Sequence, residues 1–262
     1  MSSVTKSLRV AAAQIDVCAD MESNLGHIRE TMKRCADDAV ELVVFPEAAL
    51  TGYSPLIGKE RDVSEWLKIE EALGGIAALA RELGVWVVVG FEVWDEDAWV
   101  NRLYAYSDAG EVAAMYDKVH LTSSDTNYYR AGTRNTVFEL KGVVIGLQIC
   151  YDARFPEGYR ALLDQGAQVI VQGFYGAGDS TWKVPVLAAH LRSRAAENGC
   201  FIVSANVSGP LQIVVSYIID PLGLVLAQAN QDCVEVITAD LDFKRIDDSE
   251  IRRDFLGRFQ HI

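Results

Sequence analysis

Three segments of this chain each place a reactive side chain just after an apolar, strand-like run. Val43-Val44-Phe45-Pro46-Glu47 delivers a carboxylate, and Met115-Tyr116-Asp117-Lys118-Val119-His120-Leu121 delivers an ammonium. Val143-Val144-Ile145-Gly146-Leu147-Gln148-Ile149-Cys150 delivers a thiol and runs straight into Tyr151-Asp152-Ala153-Arg154-Phe155-Pro156-Glu157. A free thiol has a pKa of about 8.5 and is mostly protonated at neutral pH. A carboxylate within hydrogen-bond reach can take its proton as the sulfur attacks. A nearby ammonium stabilises the oxyanion that forms and offsets the repulsion between carboxylate and thiolate. Each residue alone has a plainer reading. Cys150 would be a small core hydrophobe, Glu47 a helix-start or turn charge, and Lys118 a surface partner of Asp117. Their common place after strands is what sets them apart, because strand ends on one edge of an α/β sheet converge on a crevice.

The elements that would hold them alternate between strand and helix patterns. Strands are expected over Leu8–Gln14, Leu42–Phe45, Val85–Gly90, Val143–Cys150, Val169–Gln172, Cys200–Asn206 and Val234–Leu241. Asn24 is read as the N-cap of a first helix, with Leu25, Ile28, Met32 and Cys35 at helical spacing. Further helices are expected over Ser64–Leu83, weakened by Gly74-Gly75 and closed by Gly84, over Pro156–Gln165, and over Ser180–Asn198. Asn101–Tyr106 and Glu111–Tyr116 flank Ser107-Asp108-Ala109-Gly110 as a hairpin, and Ser216–Asp220 and Leu224–Ala227 bracket a Pro221-Leu222-Gly223 turn. The alternation argues for α/β layers, and the hairpins for mixed sheets. No linker or repeat divides the 262 residues, so a single domain over 1–262 is expected. The polar, Arg-rich tail over 244–262 reads as an oligomerisation arm.

Composition narrows the partners. A net charge of −13 without a basic cluster disfavours nucleic acid and anionic membranes. No apolar run approaches the roughly 18 residues needed to span a bilayer, and Met1–Leu8 lacks a signal-peptide core. Five scattered cysteines do not make a disulfide framework, so a reducing cytoplasm is the expected home. No CxxC, HExxH or paired-histidine spacing suggests a metal.

Taken together, Phe45–Tyr53, Tyr116–Leu121 and Ile149–Glu157 resemble the three signature blocks of the nitrilase superfamily of carbon–nitrogen hydrolases. Trp182 through Arg192–Asn198 to Asn206 resembles the family's helix–strand segment behind the nucleophile, and Asp220-Pro221-Leu222-Gly223 its late turn. The resemblance implies a four-layer α-β-β-α sandwich with two mixed sheets, paired into homodimers or higher homo-oligomers, and no cofactor. It implies Glu47 as general base, Lys118 as oxyanion stabiliser, Cys150 as nucleophile and the Tyr151 N–H as second oxyanion donor. The implied reaction is hydrolysis of a non-peptide C–N bond in a small carboxamide, through a thioester, with release of ammonia. The Cys-Tyr-Asp-x-Arg-Phe-Pro-Glu form looks more like amidases than nitrilases. N-carbamoyl amides and nitriles remain alternative substrates of the same triad, and a non-catalytic binding member of the fold is the second class.

The chain departs from the family in the loop after Lys118. Many members carry a second glutamate there, followed by Pro-Gly; this chain has Asp125-Thr126-Asn127-Tyr128-Tyr129-Arg130-Ala131-Gly132. Asp125 is the expected substitute, with Asn127 as rival. Tyr53, Tyr128, Phe174, Tyr175 and Trp182 are expected pocket walls or core aromatics. Arg154 is expected either to bind a substrate carboxylate or to pair with Asp152 or Glu157. Arg192 and Glu197 read as structural pairs and His120 as a structural residue. A Cys-His hydrolase would instead need His120 or His190 beside Cys150.

Overall fold

Two sets of parallel strands, buried on both faces, carry the architecture. In the computed structural model, which describes residues 6–58 and 61–252, the first half runs β1 (Ser7–Gln14), α1 (Met21–Asp37), β2 (Leu42–Val44), α2 (Ser54–Ile57), α3 (Trp66–Leu83), β3 (Trp86–Asp95), β4 (Ala98–Tyr106) and β5 (Val112–Asp117). The second half runs β6 (Val137–Leu140), β7 (Val143–Ile149), α4 (Pro156–Asp164), β8 (Val169–Gly173), α5 (Lys183–Asn198), β9 (Phe201–Ala205), β10 (Tyr217–Ile219), β11 (Val225–Gln228), β12 (Glu235–Asp242) and α6 (Lys244–Asp247). One six-stranded sheet has the order β12-β1-β2-β3-β4-β5 and the other β11-β10-β9-β8-β7-β6. β1, β2 and β3 are parallel, as are β7, β8 and β9, and antiparallel strands complete each sheet.

The layers follow from which side chains face where. Leu8, Val10, Val44 and Val88 of the first sheet meet Ile145, Leu147, Val171 and Val203 of the second in a core between the sheets. The other face of the first sheet, with Val43, Val87 and Val89, buries Ile28, Met32, Ile69 and Ile76 of α1 and α3. Ile170 and Ile202 bury Leu162, Leu187 and Leu191 of α4 and α5. The result is the expected four-layer α-β-β-α sandwich. Strands covered on both faces read as unbroken apolar runs, and for that reason they stand out in the sequence.

Local corrections have local causes. Asp20, not Asn24, caps α1, accepting from the Ser23 N–H at 3.2 Å. Asn24 is buried instead, accepting from the Cys18 N–H at 2.9 Å and donating to Leu50 O at 3.1 Å. α3 follows a 3-10 turn over Val63–Glu65 and runs unbroken through Gly74-Gly75; at Gly75 a Cβ would lie 2.9 Å from an Arg29 nitrogen. α5 begins at Lys183 rather than Ser180. β6 was not expected; it joins β7 through Lys141-Gly142, both at positive φ, as a two-residue hairpin needs. Cys150 is not the last residue of β7 but the first of a 3-10 turn, Cys150–Arg154. The start of the tail docks on its own chain: Phe243 and Ile246 are buried, and Arg245 meets Asp220 at 2.5 Å. The remainder of the expected oligomerisation arm, 253–262, lies outside the described residues.

The close approach of strand ends to the Glu47 turn constrains two glycines. A Cβ on Gly90 of β3 would stand 2.5 Å from Pro46 O and 2.6 Å from Ala48 N, and one on Gly173 of β8 would stand 2.8 Å from Glu47 N. These contacts are with backbone, which cannot swing aside. Gly90→Ala is therefore expected to destabilise the fold by about 1–3 kcal/mol, read as a lowered urea midpoint. An unchanged midpoint would mean that the Glu47 turn yields freely.

Candidate active site

Glu47, Lys118 and Asp125 form a charged row closed to solvent. Glu47 follows β2 and is fully buried. Its Oε1 accepts from Lys118 Nζ at 2.7 Å and from Asn101 Nδ2 at 2.7 Å, and its Oε2 accepts from the Tyr175 N–H at 2.8 Å. Lys118, 1% exposed, follows β5 directly and also meets Asp125 Oδ2 at 2.8 Å. The same Asp125 oxygen accepts from the Thr122 N–H at 2.8 Å, and the other oxygen accepts from the Tyr53 hydroxyl. Burial alone would drive the Lys118 ammonium down. The anions around it, Glu47 foremost, more than offset this and hold it well above its ordinary value. Burial likewise pushes the Asp125 carboxyl up, and Lys118 with its hydrogen bonds brings it below the usual range.

The thiol comes from the opposite sheet. Cys150 adopts φ +42°, a left-handed conformation that a non-glycine residue holds at a cost of order 1–3 kcal/mol. Asp152, fully buried, holds the turn in that shape. Its Oδ2 accepts from the Ile149 N–H at 3.1 Å and the Tyr116 hydroxyl at 2.8 Å. Its Oδ1 accepts from the His120 N–H at 2.9 Å and lies 2.8 Å from His120 Nδ1. Gln172 Nε2 donates to Cys150 O at 3.1 Å. Burial, then the charge of Glu47, raises the Cys150 thiol well above its ordinary value, while Lys118 pulls the other way. The thiol is thus held in its neutral form. No histidine is among the charges that act on it. His120 is bound by Asp152 and stacks on Phe155 at 3.8 Å, and His190 is held below its ordinary value by burial, Arg194 and Arg154. Cys35 and Cys200 are buried core thiols, each pushed up to about 12 by burial first.

A cleft of about 320 Å³ opens over Cys150. Tyr53, Tyr151, Arg154 and Tyr175 line it, as expected, and Pro55, Leu56, Lys183, Leu187 and Ile213 share the wall. The remaining candidates lie elsewhere. Trp182 is 58% exposed and is absent from the wall; its ring lies outside, against Arg154 at 5.4 Å and Lys183 at 5.8 Å. Asn127 is exposed on the outer side of the 3-10 turn that buries Asp125, so of the two only Asp125 reaches Lys118. Phe174 is a core residue, and Tyr128 packs in an aromatic cluster behind Tyr53. Arg154 pairs with neither Asp152 nor Glu157; its guanidinium lies over the Tyr151 and Trp182 rings. Glu197 pairs with Arg194 at 2.7 Å, and Arg192 donates to Gly223 O.

The sequence reading gave no site role to Asn101, Asp152 or a further buried acid, Glu92. Glu92 accepts from the Ser54 N–H and hydroxyl, both at 2.7 Å, from the Tyr129 hydroxyl and from Arg61. It thereby anchors the segment that carries Tyr53, Pro55 and Leu56 into the cleft. Asn101 and Glu92 lie within strands and Asp152 in the turn after β7, and each takes partners distant in sequence.

The carbon-nitrogen hydrolase family profile matches residues 9–250. An (R)-stereoselective amidase from a Pseudomonas species is 32% identical over 234 residues, covering 85% of this chain and 81% of that one. A 2-oxoglutaramate amidase from Bacillus subtilis is 30% identical over 257 residues, covering 90% and 92%. Among solved structures, a cysteine-to-alanine form of the amidase from Nesterenkonia sp. AN1, in complex with butyramide, superposes with a TM-score of 0.79 at 25% identity, over 95% of this chain and 97% of that one.

The charged row makes stability depend on acid. The contribution of Asp125, whose carboxyl sits below the usual range, is present above about pH 4 and is lost as pH falls through its lower folded value. Asp125→Asn removes one partner of a buried ammonium and is expected to cost about 3–5 kcal/mol at pH 7. Urea unfolding of both proteins from pH 7 to pH 3 should show the gap narrowing in acid. A gap independent of pH would mean that the charge of Asp125 is not its source.

Proposed function

The chain belongs to the carbon-nitrogen hydrolase family, and from that premise we propose that it is an amidase whose nucleophile is Cys150. The observation that carries this reading is the buried Glu47–Lys118 pair, 2.7 Å apart, beside the one thiol that lines the cleft. The neutral Cys150 thiol attacks the amide carbon while Glu47 takes its proton. Lys118 spends two of its three N–H donors on Glu47 and Asp125, and the third, with the Tyr151 N–H, faces the developing oxyanion. Two carboxylates and one ammonium give the resting row a charge of −1. Moving the thiol proton to Glu47 as negative charge passes to the oxyanion leaves that total unchanged, so the closed site reorganises little. Glu47 returns the proton to the departing nitrogen and ammonia leaves. A water activated by Glu47 then hydrolyses the thioester.

The cleft also supports a substrate class. Arg154 and Lys183 are half-buried cations on its wall, and among the described residues neither has a carboxylate within ion-pair distance. Arg154 stands four residues along the 3-10 turn from Cys150, about 8 Å at 2 Å per residue. We propose that the favoured carboxamide carries a carboxylate at its far end, as in the monoamide of a short dicarboxylic acid. The 2-oxoglutaramate named for the Bacillus relative is a molecule of this kind.

Three measurements test this. Cys150→Ala is expected to abolish ammonia release across a panel of amides, N-carbamoyl compounds and nitriles, with an unchanged unfolding midpoint; residual turnover at the wild-type rate would remove Cys150 from the chemistry. A wild-type protein labelled by iodoacetamide at Cys150 but inert on the whole panel would favour the binding role. Lys183→Ala should raise KM for succinamate about tenfold or more, the worth of one charged hydrogen bond, and leave KM for butyramide unchanged. Equal effects on both substrates would place Lys183 in the fold rather than in recognition.

A further inference from the structure

Glu47 is held by more donors than a proton acceptor needs, and their distribution selects one of its two oxygens. An ionised carboxylate offers about four in-plane acceptor directions, two per oxygen. On Oε1 both are filled, by Lys118 Nζ and by Asn101 Nδ2, each at 2.7 Å. On Oε2 the Tyr175 N–H fills one at 2.8 Å, and one remains.

Asn101 gives up a hydrogen bond to be there. It lies on β4, 1% exposed, and its backbone oxygen accepts from the Lys118 N–H at 2.9 Å. Its side-chain Oδ1 is buried and, among the described residues, has no partner. Rotating the amide would not help, because Oδ1 would then face Oε1 of Glu47, acceptor against acceptor. A buried acceptor left without a donor costs stability, so its retention points to the value of the N–H on the other side.

We infer that Asn101 is a positioning residue for the proton transfer: with Lys118 it saturates Oε1 of Glu47, so that the Cys150 proton passes to Oε2. The inference rests on Glu47 acting as the base, as proposed above. The step balances within the site. The S–H bond breaks and an O–H bond forms at Oε2. The sulfur pair forms the S–C bond, and the carbonyl π pair moves to the oxygen facing Lys118. Asn101 does not line the cleft and touches no reacting atom.

The test is the acid limb of the pH profile, which reports protonation of the free enzyme's base. Removing one charge-assisted donor from a carboxylate makes it more basic, and Asn101→Ala should move the limb up by about one pH unit. It should also lower kcat about tenfold and leave KM unchanged, because no cleft contact is lost. Asn101→Asp fills the same space and sets a second carboxylate against Oε1; its limb should move up further than that of the alanine variant. Iodoacetamide alkylation of Cys150, followed by mass against pH, gives the same limb without turnover. A protein that hydrolyses no amide therefore sinks the amidase reading while still testing Asn101. If both variants fold and their alkylation limbs coincide with wild type, the inference is overturned. It is overturned equally if kcat falls only in step with the loss of folded protein.

Discussion

One ammonium between two carboxylates, all closed to water, is the constraint on which the rest of the molecule depends. Lys118 meets Glu47 at 2.7 Å and Asp125 at 2.8 Å. Removing three charges from water costs several kcal/mol per ion, and only close pairing with further hydrogen bonds returns it. The row's further hydrogen bonds come from Asn101 on β4, the Tyr175 backbone beyond β8, the Thr122 backbone and the Tyr53 hydroxyl, which leave one acceptor direction open on Glu47 Oε2. The charged residues come from one sheet and the thiol from the other. The packing between the sheets thus decides whether the chemistry exists.

That packing is locked by Asp152, a carboxylate that touches no cleft. It binds the end of β7 through Ile149, β5 through Tyr116 and the Lys118 segment through His120. The turn that lifts Cys150 is thereby tied to the segment that carries Lys118. The left-handed backbone at Cys150 is unfavourable in isolation and is stabilised by these bonds and by Gln172 on its carbonyl. Burial and Glu47 both hold the Cys150 side chain in its thiol form.

Much of this was legible in the amino-acid order. Glu47 and Cys150 stand out because each is a polar residue that follows a doubly covered apolar strand, β2 and β7, whereas Lys118 follows the edge strand β5. In the loop after Lys118 the order offered Asp125 and Asn127 as alternatives, and burial separates them, Asp125 lying against Lys118 and Asn127 being exposed. Asn101 and Glu92 sit inside strand patterns, where their roles come from neighbours distant in sequence, and no local rule exposes that. Trp182 misled for the converse reason: a large aromatic beside a motif suggests a wall, yet its ring stacks on cations outside the cleft. The N-cap of α1 went to Asp20 because Asn24, an equally good capping residue, is committed to tying two loops together.

Another buried acid, Glu92, has a separate consequence. With Arg61, Ser54 and Tyr129 it secures the segment bearing Tyr53, Pro55 and Leu56, and Tyr53 in turn donates to Asp125 of the Glu47 row. The rim of the cleft is therefore fastened both to Glu92 and to the charged row. Pro55 and Leu56 carry no polar side-chain atom and take no part in either anchor, so a change of side chain there recuts the rim while both fastenings stay as they are.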